Sequence, residues 1–129
     1  NLAAIYTDGG RFSEAEEAYN AAVQIDPRIW QTHFNLGNLF WRQKKFSFAR
    51  DAYVRALELN SADADIRYNL AVTYLALEDR TNALPLLEDL SQQMPTDVSI
   101  WRELGRLYAL EERVQESKAA YDFAEALGQ

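Results

Sequence analysis

Residues 34–40 read FNLGNLF, and a related segment, YNLAVTY, follows at residues 68–74. A third version, RELGRLY, stands at residues 102–108, and the chain opens with NLAAIY. The segments recur at a step of 34 residues. A fixed step of this length is the sequence signature of a repeat protein, in which each repeat is one supersecondary unit. The sequence therefore predicts a stack of similar units.

The rest of each unit repeats in the same register. Its first half carries a leucine, a small residue and an aromatic residue. These columns are Leu2, Leu36, Leu70 and Leu104; Ala3, Gly37, Ala71 and Gly105; and Tyr6, Phe40, Tyr74 and Tyr108. Its second half carries small, large and small side chains in turn. These columns are Ala15, Ala49, Ala83 and Ser117; Tyr19, Tyr53, Leu87 and Tyr121; and Ala22, Ala56, Leu90 and Ala124.

The spacing within a unit predicts two helices joined by a short turn. Leu36 and Phe40 are four residues apart, and therefore lie on one helix face. Ala49, Tyr53 and Ala56 follow the i, i+4, i+7 pattern of an amphipathic helix. The predicted helices are residues 2–8, 12–25, 30–43, 46–59, 64–77, 81–93, 97–111 and 114–127. No segment has the pattern of a strand, so the predicted class is all-α.

A glycine in the middle of a predicted helix needs a packing reason, because glycine disfavours a helix by about 1 kcal/mol relative to alanine. A neighbouring helix that passes close to Gly37 would account for it. Ala49 and Ala83 are the predicted opposing contacts, with tyrosine and phenylalanine rings in the wider gaps beside them. One helix pair cannot bury its apolar face alone, so the units are predicted to stack into a solenoid.

The pattern resembles the tetratricopeptide repeat, whose motif has a Leu-Gly pair, an aromatic residue, two alanines around a second aromatic residue, and a closing proline. The segment WRELGRLY at residues 101–108 is similar to the first helix of that motif. Ala49, Tyr53 and Ala56 are similar to the second helix. The resemblance covers the whole chain and implies a right-handed α-solenoid of stacked antiparallel helix pairs.

The resemblance implies one domain, residues 1–129, built from four units. They are a truncated unit at 1–29, a unit at 30–63, a divergent unit at 64–97 and a unit without a capping helix at 98–129. The third unit departs most from the motif, with Arg67, Arg80 and Leu90 in columns that hold Trp101, Phe46 and alanine in other units. Pro85 falls near the start of a predicted helix, where it is tolerated in the first turn and would kink the helix farther in.

Composition narrows the class of protein. The chain has 129 residues and a net charge of −7, which argues against a sequence-blind binder of nucleic acid or of an anionic membrane. It has no cysteine, so disulfides and thiolate metal sites are excluded. No apolar run approaches the ~20 residues of a membrane span, so no membrane insertion is predicted. The sequence does not assign the compartment; it favours the cytoplasm over the periplasm.

No motif in the sequence indicates an enzyme, a cofactor or a metal. A Gly-rich phosphate loop, a nucleophile motif and a His–acid arrangement are all missing. The one histidine, His33, shares the column of Trp101, which predicts packing between helices rather than metal binding. Acidic pairs such as Glu16 and Glu17 are typical of solvated helix faces. The chain is therefore predicted to be non-catalytic.

An asparagine recurs on the first helix of the units. Asn1, Asn35 and Asn69 form this column, which ends at Glu103. Stacked units would place these amides in a row, where each can donate to and accept from an extended peptide. Asparagine ladders occur among similar proteins, in the repeat arrays of nucleocytoplasmic glycosyltransferases. The alternative is that asparagine is merely frequent at this position of the repeat.

The resemblance implies that the same face of the first helices lines a concave groove. The predicted peptide contacts are Phe34, Asn35, Asn38, Trp41, Arg42, Tyr68, Asn69, Val72, Arg102 and Arg106. Aromatic anchors beside amide and guanidinium groups are typical of a peptide-binding surface. The arginines make this face less acidic than the molecule, so a ligand with some acid is expected. The alternative for the aromatic residues is packing against the adjacent unit.

The groove is not predicted to be the carboxylate clamp of chaperone-binding tetratricopeptide domains. Asn38 and Asn69 match that clamp. Its basic residues are replaced by Phe34, Ser99 and Glu103.

The leading hypothesis is a non-catalytic scaffold that binds a peptide or a segment of a partner protein in the concave groove. Two alternatives remain open. The first is self-association: the chain begins inside a predicted helix and ends without a polar capping helix, which indicates either a piece of a longer array or end helices that pair copies into dimers or filaments. The second is that the chain is the substrate-recognition arm of a larger enzyme such as a glycosyltransferase.

Overall fold

The computed structural model describes residues 11–128, and within them all regular secondary structure is helical. The seven helices are α1 (Phe12–Ile25), α2 (Trp30–Arg42), α3 (Phe46–Leu59), α4 (Ala64–Ala76), α5 (Arg80–Gln93), α6 (Val98–Leu110) and α7 (Val114–Leu127). Each predicted helix from residue 12 onward is confirmed, with ends that differ by at most one residue. The predicted helix at residues 2–8 lies outside the described residues.

The helices form an all-α solenoid in which antiparallel pairs are stacked. Each helix packs mainly on the helices before and after it, most extensively within the pairs α2–α3, α4–α5 and α6–α7. The repeated columns supply the core. Its buried members include Ala15, Leu36, Ala49, Tyr53, Leu70, Ala71, Ala83, Leu87, Leu90, Leu104 and Ala124. Burial of one apolar stripe per helix thus holds the stack together.

Side chains on different units fasten the loops that precede the first helices. The His33 Nε2 lies 2.8 Å from the carbonyl oxygen of Pro27, and the Trp101 Nε1–H donates to the carbonyl of Pro95 at 2.9 Å. A carbonyl oxygen only accepts, so the His33 Nε2 carries the proton. His33 is buried, as the sequence predicts. The rings of this column therefore pack between helices, and their N–H groups also bond to a loop.

The divergent third unit uses a different connection at this position. Arg67 Nη1 donates to the Gln93 Oε1 at 2.7 Å, and Gln93 Nε2 donates to the carbonyl of Ala62 at 3.0 Å. The loop is thus tied to the end of α5 through two side chains, and the arginine replaces the ring N–H without loss of a loop contact.

Pro85 is the sixth residue of α5, beyond the first turn. The sequence leaves open whether it lies in the tolerated first turn or deeper, and the structure places it deeper. The helix nevertheless continues through Pro85 to Gln93. Proline has no N–H, so the carbonyl of Thr81 lacks its i+4 helix donor.

The two glycines of the small column lie against tyrosine rings. A Cβ atom built on Gly37 would lie 2.6 Å from the Tyr53 Cε1, and one on Gly105 would lie 2.9 Å from the Tyr121 Cδ2. The alanine column also reaches the fourth unit's first helix, because the Ser117 hydroxyl donates to the Gly105 carbonyl at 2.8 Å. A Cβ atom at either position would therefore crowd a tyrosine ring.

The first helix of each pair ends in the same hydrogen-bonded turn. After α2, the Lys45 N–H donates to the Phe40 carbonyl and the Lys44 N–H donates to the Trp41 carbonyl, both at 2.9 Å. The turns after α4 and α6 have the same two bonds. This is the Schellman motif, in which one residue takes the left-handed conformation that favours glycine. Those residues are Lys44, Glu78 and Glu112, with φ of 61°, 58° and 59°.

We expect Glu112→Gly to raise the free energy of unfolding by about 1 kcal/mol, because the left-handed conformation costs a residue with a Cβ roughly 1–2 kcal/mol. Removing a carboxylate from the negative end of α6 adds to the gain. Lys44→Gly should gain less, because the lysine charge is favourable at a helix C-terminus. Urea denaturation followed by circular dichroism measures both. Gln43→Gly is the control, since Gln43 has φ −85°; a comparable gain there would contradict the assignment.

Candidate functional site

Helices α2, α3 and α4 form a pocket of about 400 Å³, which we call the groove pocket. Its lining residues are Asn38, Trp41, Arg42, Tyr53, Tyr68, Asn69 and Val72. Six of them belong to the predicted peptide-contacting set, and Tyr53 does not. Residues from two neighbouring units meet here because the first helix of one unit packs beside the helix pair before it.

Three polar side chains in the groove pocket are joined by hydrogen bonds. The Asn38 Oδ1 accepts from the Tyr53 hydroxyl and from the Asn69 Nδ2, the latter at 3.1 Å. Two donors occupy the two lone pairs of that oxygen. Within residues 11–128, the Asn38 Nδ2 and the Asn69 Oδ1 have no hydrogen-bond partner. The pair of amides can therefore offer a ligand one donor group and one acceptor group, the complement of a peptide group.

Tyr53 fixes the orientation of the Asn38 amide. Burial raises the pKa of the Tyr53 phenol, and the nearby Asn69 amide lowers it by less. The hydroxyl consequently stays protonated and donates. The sequence pattern predicts only core packing for Tyr53. A sign that its hydroxyl has a separate role is that Leu87, which has no hydroxyl, fills the same column in the third unit.

The aromatic walls of the groove pocket are held by packing on other rings. The Trp41 ring lies 4.7 Å from the Phe46 ring, centroid to centroid, and is half-buried. Tyr68 packs against the core cluster that includes Leu104 and Ile100. Rings already held in place lose little conformational freedom on binding, which favours their use as anchors.

Four predicted contact residues lie outside the lining of the groove pocket. Phe34 packs between the rings of Trp30 and Tyr53, at 6.1 and 5.8 Å, so it supports Tyr53 from behind. Asn35 is partly exposed on α2, and Arg102 is exposed on α6. Arg106 lines a separate pocket of about 390 Å³ with Leu75, Glu78, Arg80 and Leu110.

The predicted row of asparagines takes a different form in the structure. Asn69 is bonded to Asn38, whereas Asn35 contributes to neither pocket. Asn1 lies outside the described residues. Of the two amides that meet, Asn69 belongs to the predicted column, and Asn38 lies one helical turn after Asn35 on α2.

Arginine charge is distributed unevenly along this face. Arg42 lines the groove pocket, and its guanidinium carbon lies 5.9 Å from the centre of the Phe12 ring. Arg106 donates twice to the Glu103 carboxylate, at 2.8 and 3.1 Å, which offsets its charge. Arg42 is the arginine that lines the groove pocket.

The described part of the chain contains no group of three or more His, Asp or Glu side chains placed to hold a metal ion. No helix between residues 11 and 128 combines the length and the apolar character needed to cross a membrane.

Three family models match the chain. A model described as TPR repeat matches residues 3–44, and two models described as tetratricopeptide repeat match residues 30–63 and 68–129. Together they cover nearly the whole chain.

Among curated proteins, the human Protein O-mannosyl-transferase TMTC3 is 35% identical over 80 residues, which are 62% of this chain and 9% of that protein. Anaphase-promoting complex subunit 3 of Schizosaccharomyces pombe is 27% identical over 107 residues, which are 83% of this chain and 16% of that protein. The chain thus spans less than a fifth of the length of either relative.

Solved structures show the same fold at low sequence identity. YrrB, described as a TPR protein with an unusual peptide-binding site, superposes with a TM-score of 0.89 at 20% identity, over 98% of this chain and 66% of that chain. MamA of AMB-1 superposes with a TM-score of 0.90 at 18% identity, over 98% of this chain and 69% of that chain.

Proposed function

Because the chain belongs to the tetratricopeptide-repeat family, we propose that it is a non-catalytic scaffold whose groove pocket binds an extended segment of a partner protein. The observation that carries the proposal is the pairing of the Asn38 and Asn69 amides beside the Trp41 and Tyr68 rings. YrrB, which has this fold, is described with a peptide-binding site. Anaphase-promoting complex subunit 3 is by name part of a protein complex. Both support a binding role.

Separate residues of the groove pocket contact the main chain and the side chains of the ligand. The two amides bind a peptide group through one donor and one acceptor. The rings of Trp41 and Tyr68, with Val72, cover one large apolar side chain of the ligand. Arg42 favours an acidic residue next to it. The expected affinity is micromolar, about −8 kcal/mol.

This proposal is tested with peptides that the native chain selects from a random displayed library. We expect Trp41→Ala to weaken their binding about tenfold or more, because buried aromatic anchors dominate such interfaces. Asn69→Ala should weaken it about fivefold, because the acceptor for the peptide N–H and the bond that orients Asn38 are both lost. Fluorescence anisotropy of the labelled peptides gives the dissociation constants.

Gln92→Ala with Gln115→Ala is the matched control, since both amides are exposed on second helices outside the groove pocket. Circular dichroism establishes that each variant is folded, which matters because Trp41 also packs on Phe46. If the selected peptides bind the Trp41→Ala and Asn69→Ala variants as tightly as the native chain, the groove pocket is not the binding site.

The similarity to Protein O-mannosyl-transferase TMTC3 favours a second candidate, in which the chain is the substrate-recognition arm of a larger glycosyltransferase. In that case the groove pocket would bind the protein that is to be modified. The complete reading frame of the gene tests this candidate. A catalytic segment in the same frame would support it, and a frame of helical repeats alone would contradict it.

Self-association is a further candidate, favoured by apolar side chains that α7 exposes. Val114, Tyr121 and Phe123 leave 69%, 44% and 45% of their surface uncovered. A second copy packed on α7 would bury them. Sedimentation velocity over a range of concentrations would give a rising mass in that case, and a constant monomer mass would reject it.

A further inference from the structure

The corner between α2 and α3 carries a second surface, distinct from the groove pocket. We call it the corner patch, a surface pocket of about 330 Å³ lined by Lys44, Lys45, Phe46, Ser47, Phe48 and Leu77. Phe48 leaves 59% of its surface exposed. Its ring lies 5.4 Å from that of Phe40, so one side packs on the protein and the other faces outward. An exposed ring held in this way is a ready apolar contact.

The lysines of the corner patch are unlike most basic side chains of the chain. In the described range, seven arginines form ion pairs with an aspartate or glutamate, and so does Lys118. Lys44 and Lys45 form no ion pair with any residue from 11 to 128. A nearby acid, Asp51, is bonded to Arg50 at 3.1 Å. The corner patch therefore keeps two uncompensated positive charges on a chain of net charge −7.

Glu78 and Asp79 are further acids near this corner, since they follow Leu77 in the chain. Glu78 lines the pocket that also holds Arg80 and Arg106, and the Asp79 carboxylate accepts hydrogen bonds from the backbone N–H and the side-chain amide of Asn82. Charges farther away than the Debye length, about 8 Å at physiological ionic strength, are largely screened. Neither acid forms an ion pair with Lys44 or Lys45 among the described residues.

We propose that the corner patch docks an acidic segment of a partner protein that carries an apolar side chain. The carboxylates of the segment pair with Lys44 and Lys45, and its apolar side chain covers the outward side of Phe48 and Leu77. Charge complementarity selects this occupant, because two lysines with no counter-ion among residues 11–128 attract carboxylates. The uncovered ring beside them supplies the apolar part of the contact.

The test uses a fluorescein-labelled synthetic peptide in which glutamates flank a central Phe-Leu pair, and an isomer with lysines in place of the glutamates. We expect the acidic peptide to bind the full chain and the basic isomer not to bind. Lys44→Glu with Lys45→Glu should weaken binding of the acidic peptide about tenfold or more, since each exposed ion pair contributes modestly and each reversal adds repulsion. Phe48→Ala should weaken it about fivefold.

Arg28→Glu with Lys118→Glu is the matched control, because it changes the net charge equally at exposed sites away from the corner patch. It should leave binding of the acidic peptide within about twofold of native, because distant surface charges are screened. Circular dichroism checks folding, and the lysine reversals do not depend on the packing of Phe48. Equal loss in the control, or no loss in the lysine variant, would overturn the proposal. Binding to phosphatidylserine vesicles without binding to the acidic peptide would also overturn it.

Discussion

Gly37→Ala is expected to lower the free energy of unfolding by about 2 kcal/mol, the usual size of an overpacking penalty. Alanine alone would favour α2 by about 1 kcal/mol over glycine, so the sign of the effect depends on the neighbouring ring. The new Cβ would lie 2.6 Å from the Tyr53 Cε1, and Tyr53 is buried with its hydroxyl bonded to Asn38. The ring cannot move without losing that bond. Urea denaturation at fixed m-value measures the change.

Gly105→Ala is the matched control, because the same contact is made there by a ring that can move. Its Cβ would lie 2.9 Å from the Tyr121 Cδ2, but 44% of the Tyr121 surface is exposed. We expect its stability to stay within about 1 kcal/mol of native, with the gain in helix propensity offsetting the contact. A similar large loss at Gly37 and Gly105 would contradict the role given to ring mobility.

A double variant tests the contact directly. Gly37→Ala with Tyr53→Leu installs the pair that the third unit has at Ala71 and Leu87. If the clash between the new methyl group and the ring causes the loss, the two substitutions should be non-additive, because the second removes the clash that the first creates. Strict additivity would point to another cause.

Pro85→Ala is expected to raise the free energy of unfolding by about 2 kcal/mol, because proline in a helix interior is about 3 kcal/mol less favourable than alanine. The substitution restores the N–H that bonds the Thr81 carbonyl and removes the ring that crowds it. Pro85 is exposed, so little packing is lost in exchange. Urea denaturation measures the gain, with thermal unfolding as a second reading.

Asp89→Ala, at another exposed position of α5, is the control for the proline substitution. It should change stability by less than about 0.5 kcal/mol, as is usual for surface positions. An unchanged stability in Pro85→Ala would mean that α5 has already adapted to the proline, and that the lost helix bond is replaced elsewhere.

Tyr53 connects the stack to the candidate site. Its ring packs over Gly37 and beside Phe34, while its hydroxyl orients Asn38 in the groove pocket. A change that displaces the ring should therefore reduce peptide binding as well as stability. This coupling distinguishes the second unit from the third, where Leu87 fills the same column without a hydroxyl.

The sequence by itself determined the helices and the core. The columns at a step of 34 residues predict each described helix to within one residue, because both helix period and stacking require apolar side chains at fixed intervals. The same columns identify the buried leucines and alanines. These features are local or periodic, so a linear pattern contains them.

Only the tertiary structure decided which polar residues share a site. Asn38 and Asn69 are 31 residues apart and meet because α4 packs beside the α2–α3 pair, whereas Arg106 on the same predicted face is bonded to Glu103 in its own helix. Tyr53 belongs to both core and pocket because a long side chain can bury its ring and still present its tip. Side-chain direction across units depends on how the helices cross, and a repeat pattern read along one chain does not contain that angle.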